Sequence, residues 1–282
     1  RDRSPSRGLG DVYKRQDTIV SQELIDETRA QLGLDKPFIV QYANWVVNAA
    51  QGDLGMSYSA KKPVVDRMLE ALPGTLALAG TALVFTILYA LPAGILSAYN
   101  RNKWIDYVLR SLSFIGVSMP SFWLGLVLIY IFGLKLGLVP IASSRITATG
   151  VILPAVTLAV VVGSKYMRQV RLVILEEMQK DYVIGARARG VSEMKILFGH
   201  ILPNAVLPLI TILGVLIGWL LGGVAVVEMV FSWPGLGNMA IYAITMRDYP
   251  LIEGFVLWVA LAYMCINALV DASSVLLDPR LK

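Results

Sequence analysis

Long apolar stretches separated by short polar segments dominate the chain from position 75 onward. Five of them approach the roughly 20 apolar residues that a helix needs to cross a bilayer. They are Thr75–Tyr99, Ser111–Leu134, Thr147–Gly163, Asn204–Val227 and Leu251–Val270. Glu253 is the one charged residue among them, and Pro120 interrupts the second stretch. The pattern predicts an all-α, polytopic helical membrane protein with five spans.

The segment before the first apolar stretch is polar and amphipathic. Residues 1–16 are basic and have no periodicity, which is typical of a non-native or disordered tail. After them, a first helix is predicted to begin at the N-cap Ser21 and to end at Gly33. A second helix is predicted from Phe38 to Ala50, with Gly52 closing it.

Composition supports a lipid-embedded protein and removes several kinds of chemistry. The 282 residues are 56% hydrophobic and 16% charged, with a mean hydropathy of +0.64. Soluble domains carry about 25% charged residues. A single cysteine, Cys265, and a single histidine, His200, exclude a disulfide framework and a Cys- or His-rich metal site, and they argue against a His-based triad. We therefore predict no metal site and no catalytic residue. The net charge of +5 fits the basic loops of a membrane protein, with no nucleic-acid partner.

Lysine and arginine are unevenly distributed between the loops, and this sets the predicted orientation. They concentrate in Asn100–Arg110 and Lys165–Pro203, whereas Lys135–Ala148 and Glu228–Pro250 hold few. Because short cytoplasmic loops are enriched in these residues, we expect the first two loops and the C-terminus in the cytoplasm. The other loops and residues 17–72 are expected outside. An external N-terminal segment followed by five spans requires a signal peptide or a further span upstream. We infer a further span, so six native spans are expected.

The cytoplasmic stretch Asp181–Pro203 predicts two short helices, Tyr182–Arg189 and Glu193–Ile201. Gly190 lies between them and can end the first helix with a positive φ. Ser192 is a suitable N-cap for the second helix. The proline that ends the stretch is expected to mark the corner into the next span.

Small and basic residues alternate on the first of these helices. Gly185, Ala186 and Ala188 would let a partner surface approach the backbone closely. Arg187 and Arg189 would offer positive charge to that partner.

The stretch resembles the cytoplasmic loop of the binding-protein-dependent ABC permeases. That family's loop has the pattern Glu-Ala-Ala, three residues, Gly, nine residues, Ile, one residue, Leu-Pro. Gly190, Leu202 and Pro203 fall on this spacing, and Ala186 matches the second alanine. The departures are Ile184 for the glutamate, Gly185 for the first alanine and His200 for the isoleucine. The Ala-Arg-Ala-Arg-Gly version resembles the dipeptide/oligopeptide/nickel subclass, in which the glutamate is commonly absent.

Other segments between about Asp17 and Lys282 are similar to signatures of the same subclass. They are Gln31–Pro37, Gln41–Tyr42, Gly52–Gly55, Pro120–Trp123, Phe231–Gly237, Arg247–Pro250 and Leu277–Arg280. The resemblance implies the transmembrane domain of a type I ABC importer, with six native spans. The implied organisation is a tail at 1–16, an extracytoplasmic helical segment at 17–72 and a permease domain at 73–282 with a coupling loop at 165–203.

The resemblance also implies how such a subunit works and what it binds. Its ATPase-coupling loop would consist of Gly185, Ala186, Arg187, Ala188, Arg189, Gly190, Leu202 and Pro203. The partners would be a second homologous permease, two ABC ATPase subunits, an extracytoplasmic solute-binding protein and the lipid bilayer. The chain has no Walker-type phosphate loop, so ATP and magnesium would bind the ATPase subunits.

The expected solute is a di- or oligopeptide that crosses the bacterial inner membrane. A permease for nickel or another small solute is the alternative. An ion-coupled secondary transporter is a third hypothesis, and the nearly charge-free spans argue against it.

Two further groups of residues have a structural and a functional interpretation. Gly214, Gly218 and Gly222 share one helix face, where small residues let helices pack closely, either within the subunit or at the pathway or the partner permease. The turn Phe231–Gly237 either lines an outer gate or is a packed re-entrant loop. The candidate gate residues are Phe231, Trp233, Pro234, Gly235 and Gly237. Glu228, Glu253 and Asp271 lie near span ends, where charges can reach water.

Overall fold

A computed structural model describes residues 35–277, and within that range the regular secondary structure is helical apart from an isolated bridge between Met56 and Pro63. The all-α prediction is therefore confirmed. The tail 1–16 and the predicted helix that starts at Ser21 lie outside the described residues.

The chain divides into two compact units, and the boundary along the sequence lies between Leu54 and Gly55. In the first unit, helix α1 spans Phe38–Ala50, as predicted, and has no buried residue. In the second unit, the helices follow in this order: α2 (Val64–Tyr99), α3 (Trp104–Ser118), α4 (Ser121–Leu128), α5 (Ile152–Glu177), α6 (Asp181–Ala188), α7 (Glu193–Ile196), α8 (Leu202–Gly223), α9 (Ala225–Val230), α10 (Leu236–Thr245) and α11 (Tyr249–Leu277). Wider π-type turns extend α4 over Ile129–Lys135 and α7 over Leu197–Ile201.

Helices α2 and α5 form the central pair of the second unit. Every fourth residue of α2 along one face is buried: Leu78, Ala82, Thr86, Ala90, Gly94 and Ala98. Most of these side chains are small, so the α5 backbone approaches closely, as in many helix pairs in membranes. At Gly94 a Cβ would lie 2.6 Å from the Cβ of Val170 and 2.8 Å from the carbonyl oxygen of Met167. Within α5 itself, 16 of the 26 residues are buried.

Two hydrophobic cores lie along this pair. One surrounds Val170 and joins α2 and α5 to α6, α7 and α8. The other surrounds Trp233 and joins α2 and α5 to the ends of α8 and α9 and to the turn that follows them. We refer to them as the Val170 core and the Trp233 core.

The predicted span Ser111–Leu134 is not one straight helix. Helices α3 and α4 meet at an angle of 103° around Met119 and Pro120. Pro120 provides no backbone N–H, and its ring forces the preceding residue out of the helical region, so Met119 is extended with φ −81° and ψ 130°.

The predicted end of the second loop helix at Ile201 is wrong. The chain starts this helix at Glu193, as expected, but continues through the π-type turn and Pro203 into α8. The ring of Pro203 would clash with the carbonyl of residue 199 in a regular α-helix, and a wider turn at Leu197–Ile201 relieves such a clash. Pro203 therefore lies within a continuous helix and does not form a corner.

Three helices of the described range are long and apolar enough to cross a membrane: Val64–Tyr99, Glu193–Gly218 and Tyr249–Ser273. The bent pair α3–α4 is a fourth if it counts as one span. The predicted span Thr147–Gly163 falls in α5, which starts at Ile152 and carries Lys165, Arg168 and Arg171 in its second half. Because α5 combines an apolar first half with a charged second half, it does not count as a candidate span. The described residues therefore have up to four candidate spans, where the sequence has five apolar stretches.

Candidate functional site

The turn between α6 and α7 is closed by backbone hydrogen bonds. Gly190 has φ +76°, as predicted. Its N–H donates to the carbonyl of Arg187 at 2.9 Å, and the N–H of Val191 donates to the carbonyl of Ala186 at 3.2 Å. This pair of bonds is the Schellman arrangement, which needs a residue with positive φ after the helix and therefore favours glycine.

A salt bridge spans the same turn. The guanidinium of Arg187 donates from Nε and Nη2 to the two carboxylate oxygens of Glu193, at 2.7 and 3.0 Å. Hydrogen bonds to Glu193 raise the pKa of Arg187. The backbone turn and the salt bridge together fix the angle between α6 and the start of α7. Arg187 was predicted to offer its charge to a partner, and it shares that charge with a residue that the sequence analysis did not select.

The remaining predicted residues of this segment divide between core and surface. Ala186 is 1% exposed and packs in the Val170 core, together with Val183. Its small size therefore serves contacts within the chain. Ala188, Arg189, Gly190 and Pro203 are exposed, and Gly185 and Leu202 are half-buried. The exposed side also presents large apolar side chains: Ile184, Met194 and Phe198.

The base of α6 is held by a buried carboxylate. Glu177, the last residue of α5, is 5% exposed. It accepts hydrogen bonds from the Tyr182 hydroxyl at 2.7 Å and from Lys180 Nζ at 2.6 Å. Burial and the bond to Glu177 raise the pKa of Tyr182. The only signal for this contact in the amino-acid sequence is that an acid, a base and a tyrosine lie within six positions.

A second buried carboxylate joins three helices near the same end of α5. Asp106 of α3 is fully buried and receives a bidentate salt bridge from Arg171 at 2.8 and 2.9 Å. The Ser97 hydroxyl of α2 donates to it at 2.6 Å, and the N–H of Asn102 donates at 3.1 Å. Bidentate pairs of this kind fix orientation as well as contributing energy. From the sequence alone, Arg171 counts only as a loop charge, and Asp106 is not singled out.

The turn Phe231–Gly237 lies at the other end of the central pair and is packed. Phe231 is 2% exposed and Trp233 is fully buried. The indole N–H of Trp233 donates to the carbonyl of Gly74 in α2 at 2.8 Å. Any Cβ on Gly74 would collide with the Pro234 carbonyl, and one on Gly237 would collide with Ala225. The turn is thus packed against α2 and α9, and its role as an outer gate stays a prediction.

Glu228 anchors that turn from within. It is fully buried, accepts a hydrogen bond from the Thr75 hydroxyl at 2.7 Å and accepts another from the N–H of Asn238 at 2.9 Å. Thr75 in turn accepts from the N–H of Leu236 at 2.8 Å. Burial raises the pKa of Glu228. A Cβ on Gly235 would collide with the Glu228 carboxyl, so this glycine is needed for the close approach.

A fourth buried carboxylate, Asp248, holds the loop that precedes α2. One of its oxygens, Oδ2, accepts from the Ser57 hydroxyl at 2.6 Å and from the Ser59 hydroxyl and N–H at 2.7 and 2.9 Å. Although burial opposes ionisation, these bonds lower the pKa of Asp248 to about 2. The loop is thereby fixed to the start of α11.

The glycine stripe of α8 faces α11. A Cβ on Gly214 would collide with Val270, and one on Gly218 would lie 2.6 Å from the ring of Tyr263. Gly222 belongs to the same helix. The first two glycines therefore permit helix packing within the subunit.

The described residues contain no group of three or more His, Cys, Asp or Glu side chains that could hold a metal ion. Cys265 is exposed on α11 and forms no disulfide.

Comparison with known proteins gives a consistent result. Residues 90–282 match the family described as "Binding-protein-dependent transport system inner membrane component". The chain is 37% identical over 260 residues to the glutathione transport system permease protein GsiC of Escherichia coli O6:H1, covering 92% of this chain and 85% of that protein. The GsiC protein of Shigella boydii serotype 4 is 36% identical over the same length.

Solved structures agree on the fold. A chain of the MetNI methionine ABC transporter in an inward-facing conformation superposes with a TM-score of 0.64 at 20% identity, covering 75% of this chain and 96% of that chain. A chain of an amino acid ABC transporter solved with histidines superposes with a TM-score of 0.59 at 18% identity, covering 74% of this chain and 94% of that chain.

Proposed function

Because the chain belongs to the family of binding-protein-dependent transport inner membrane components and is an ABC importer permease, we propose that it carries di- or oligopeptides into a bacterium with energy from separate ATPase subunits. GsiC, which is similar over most of the chain, is named for glutathione, itself a tripeptide, and this favours a peptide-like solute over nickel. The match to the permease family leaves the ion-coupled transporter without support.

The observation that carries the proposed coupling is the connection between the exposed α6–α7 turn and helix α8. The turn is rigid, because a Schellman bond pair and the Arg187–Glu193 salt bridge fix it. From Glu193 the helix runs without a break into α8. A movement of the turn therefore displaces the continuous helix that includes α8.

The surface of the turn suits a protein partner. Ile184, Met194 and Phe198 are 55–60% exposed, and Arg189 and Lys195 lie among them. Exposed apolar side chains next to charges are typical of a docking surface. We assign this surface to the ATPase subunit. Coupling requires that the partner contact it differently in two states, because only differential contacts shift a conformational equilibrium.

The rest of the assembly follows from the same proposal. A second homologous permease, two ATPase subunits and an extracytoplasmic solute-binding protein complete the importer. The segment 165–203, which begins with the second half of α5, and the C-terminus face the cytoplasm, and residues 17–72 lie outside. The ATPase subunits bind ATP and magnesium, and the permease supplies the path.

The test replaces Gly190 with valine in the assembled complex reconstituted in proteoliposomes. A β-branched residue at φ +76° is strained by roughly 1–2 kcal/mol and opens the turn. We expect ATP-dependent peptide uptake to be lost and ATP hydrolysis to become independent of the binding protein, while membrane insertion is unchanged.

Gly137→Val is the matched control, because Gly137 also has a positive φ of +62° and no atoms within 4 Å of an added Cβ, but lies in a different loop. Uptake should persist in that variant. Normal uptake by Gly190→Val would contradict the coupling role.

A further inference from the structure

Helix α1 has an apolar side that stays exposed. None of its 13 residues is buried. Its large apolar side chains recur three, four and seven positions apart, which places them on one side of a helix. Four of them are 40–78% exposed: Phe38, Ile39, Tyr42 and Val46. We define these four as the α1 face, and Val40 and Val47 extend it around the helix.

The other side of α1 is polar but uncharged. Asn44 and Asn48 lie about one turn apart and are exposed, and the helix contains no charged residue. Three aromatic rings follow each other along one border between the two sides. The ring centroids of Phe38 and Tyr42 are 6.4 Å apart, as are those of Tyr42 and Trp45. The helix is therefore apolar on one side, aromatic at the border and lined by amides on the other side.

A lipid surface matches this distribution. At 1.5 Å per residue, α1 is about 20 Å long, and it is too short to cross a bilayer, which takes about 20 residues. A short amphipathic helix can instead lie in the membrane plane, with its apolar side in the boundary between headgroups and acyl chains. Tyrosine and tryptophan are enriched at the headgroup level, because their rings are apolar with one polar end.

The position of α1 in the sequence keeps it close to a membrane helix. Residues 51–63 separate α1 from Val64, where a helix long and apolar enough to cross a membrane begins. The chain belongs to a family of inner membrane components. A lipid surface is therefore within reach of the α1 face whenever the chain is inserted.

We propose that α1 lies on the lipid surface, with the α1 face at the acyl chains and with Asn44 and Asn48 towards water. Because the helix carries no charge, the contact depends on the burial of apolar surface and not on attraction to anionic headgroups. The lack of charge also argues against a soluble protein partner, since charges steer and orient such a partner. The proposal requires only a membrane-embedded chain and is independent of the solute and the energy source.

The first experiment measures the depth of α1 in vesicles that contain the assembled complex without a solute-binding protein. In a Cys265→Ser background, a spin label is attached to one cysteine at a time, in Tyr42→Cys, Val46→Cys, Asn44→Cys or Asn48→Cys. Collisions with oxygen, which concentrates in hydrocarbon, are compared with collisions with a water-soluble nickel chelate. We expect a several-fold higher ratio of oxygen to nickel collisions at positions 42 and 46 than at 44 and 48, with the first two labels about 5–10 Å inside the headgroup boundary.

Other collision patterns would overturn the proposal. Frequent nickel collisions at all four positions would place α1 in water. Few collisions with either reagent at positions 42 and 46 would mean that protein covers the α1 face, and if this pattern follows the addition of solute-binding protein, that protein is the occupant. The expected pattern should be the same in phosphatidylcholine vesicles with and without phosphatidylglycerol. Labels that enter lipid only when the anionic lipid is present would contradict a contact through apolar surface.

The second experiment changes the α1 face and has a matched control. In the spin-labelled Tyr42→Cys variant, Val46→Asp introduces a charge on the apolar side, and Asn44→Asp introduces the same charge on the polar side. We expect Val46→Asp to abolish most of the excess of oxygen over nickel collisions at position 42, because an aspartate is costly to place in the acyl region. Asn44→Asp should leave the excess unchanged. An excess that persists in Val46→Asp, or equal losses in the two variants, would refute the assignment of this face to lipid.

Discussion

Single carboxylates hold together parts of the chain that are far apart in sequence. Asp248 receives three hydrogen bonds from a loop about 190 positions earlier, and Glu228 connects α2 to the turn that follows α9. A buried acceptor with several donors is costly to remove, because each donor loses its partner at once.

Replacing Asp248 with asparagine should lower the stability of the purified subunit by about 2 kcal/mol at neutral pH. The folded-state pKa of about 2 lies below the roughly 3.9 of an unfolded aspartate. The carboxylate therefore stabilises fully above a pH of about 4, and this contribution disappears as the pH falls towards 2. Thermal unfolding followed between pH 3 and pH 7 measures the difference between variant and parent.

The difference should shrink on the acid side of this range. Asp66→Asn serves as the control, since Asp66 is exposed in the first turn of α2 and a smaller change is expected. A destabilisation of Asp248→Asn that does not vary with pH would mean that the charge of the group is unimportant.

At the level of elements, the α6–α7 turn combines a left-handed backbone conformation at Gly190 with a surface salt bridge. Side chains that are 38% and 43% exposed contribute little to stability as a pair. The Arg187–Glu193 bridge sets the relative orientation of α6 and α7, because these two short helices have few other contacts with each other.

Arg187→Glu and Glu193→Arg should each weaken the coupling of ATP hydrolysis to uptake, whereas the double exchange should restore most of it. The melting temperature should change by only about 2 °C in all three variants, because exposed pairs contribute at most about 1 kcal/mol. Uptake and ATPase rates of the reconstituted complex measure the coupling. A double variant as impaired as the single ones would show that the two side chains act through the partner instead.

The elements predicted from the sequence differ in how well they match the structure. The positive φ of Gly190 and the bounds of α1 depend on neighbouring residues in the sequence, so the local sequence predicts them directly. A proline can end a helix, as Pro120 does, or the helix can continue through it with a wider turn, as it does before Pro203. Local sequence does not decide between these outcomes. The burial of Ala186 depends on a core that it shares with α5, α7 and α8, and that of Trp233 depends on α2, about 160 positions earlier. Local sequence therefore supports both a buried and an exposed role for each of these residues.

At the scale of the whole molecule, the Asp106–Arg171 pair unites three helices near one end of the central pair. Arg171 is 19% exposed on its side chain and Asp106 is fully buried, so the charges are largely removed from water. Breaking one partner of such a pair leaves an uncompensated charge, which costs more than the pair contributes.

Asp106→Asn should therefore destabilise the subunit by about 3 kcal/mol, with α2, α3 and α5 loosening together. Thermal unfolding in detergent, with hydrogen exchange resolved by peptide, measures both effects. Glu70→Gln, which removes an exposed ionic partner of Lys62, should change the stability far less than Asp106→Asn. Equal effects of the two substitutions would contradict the structural importance of burial at Asp106.

The filled interior around α5 has a consequence for cells that make this subunit in excess. With 16 of the 26 residues of its central helix buried, the described part of the chain surrounds packed side chains rather than a lumen. Under the proposed pairing with a second permease, a conduit would then arise only where the two chains face each other. On that proposal we expect an unpaired copy to leave the proton gradient intact, so that cells need not match the synthesis of the two chains to avoid leakage.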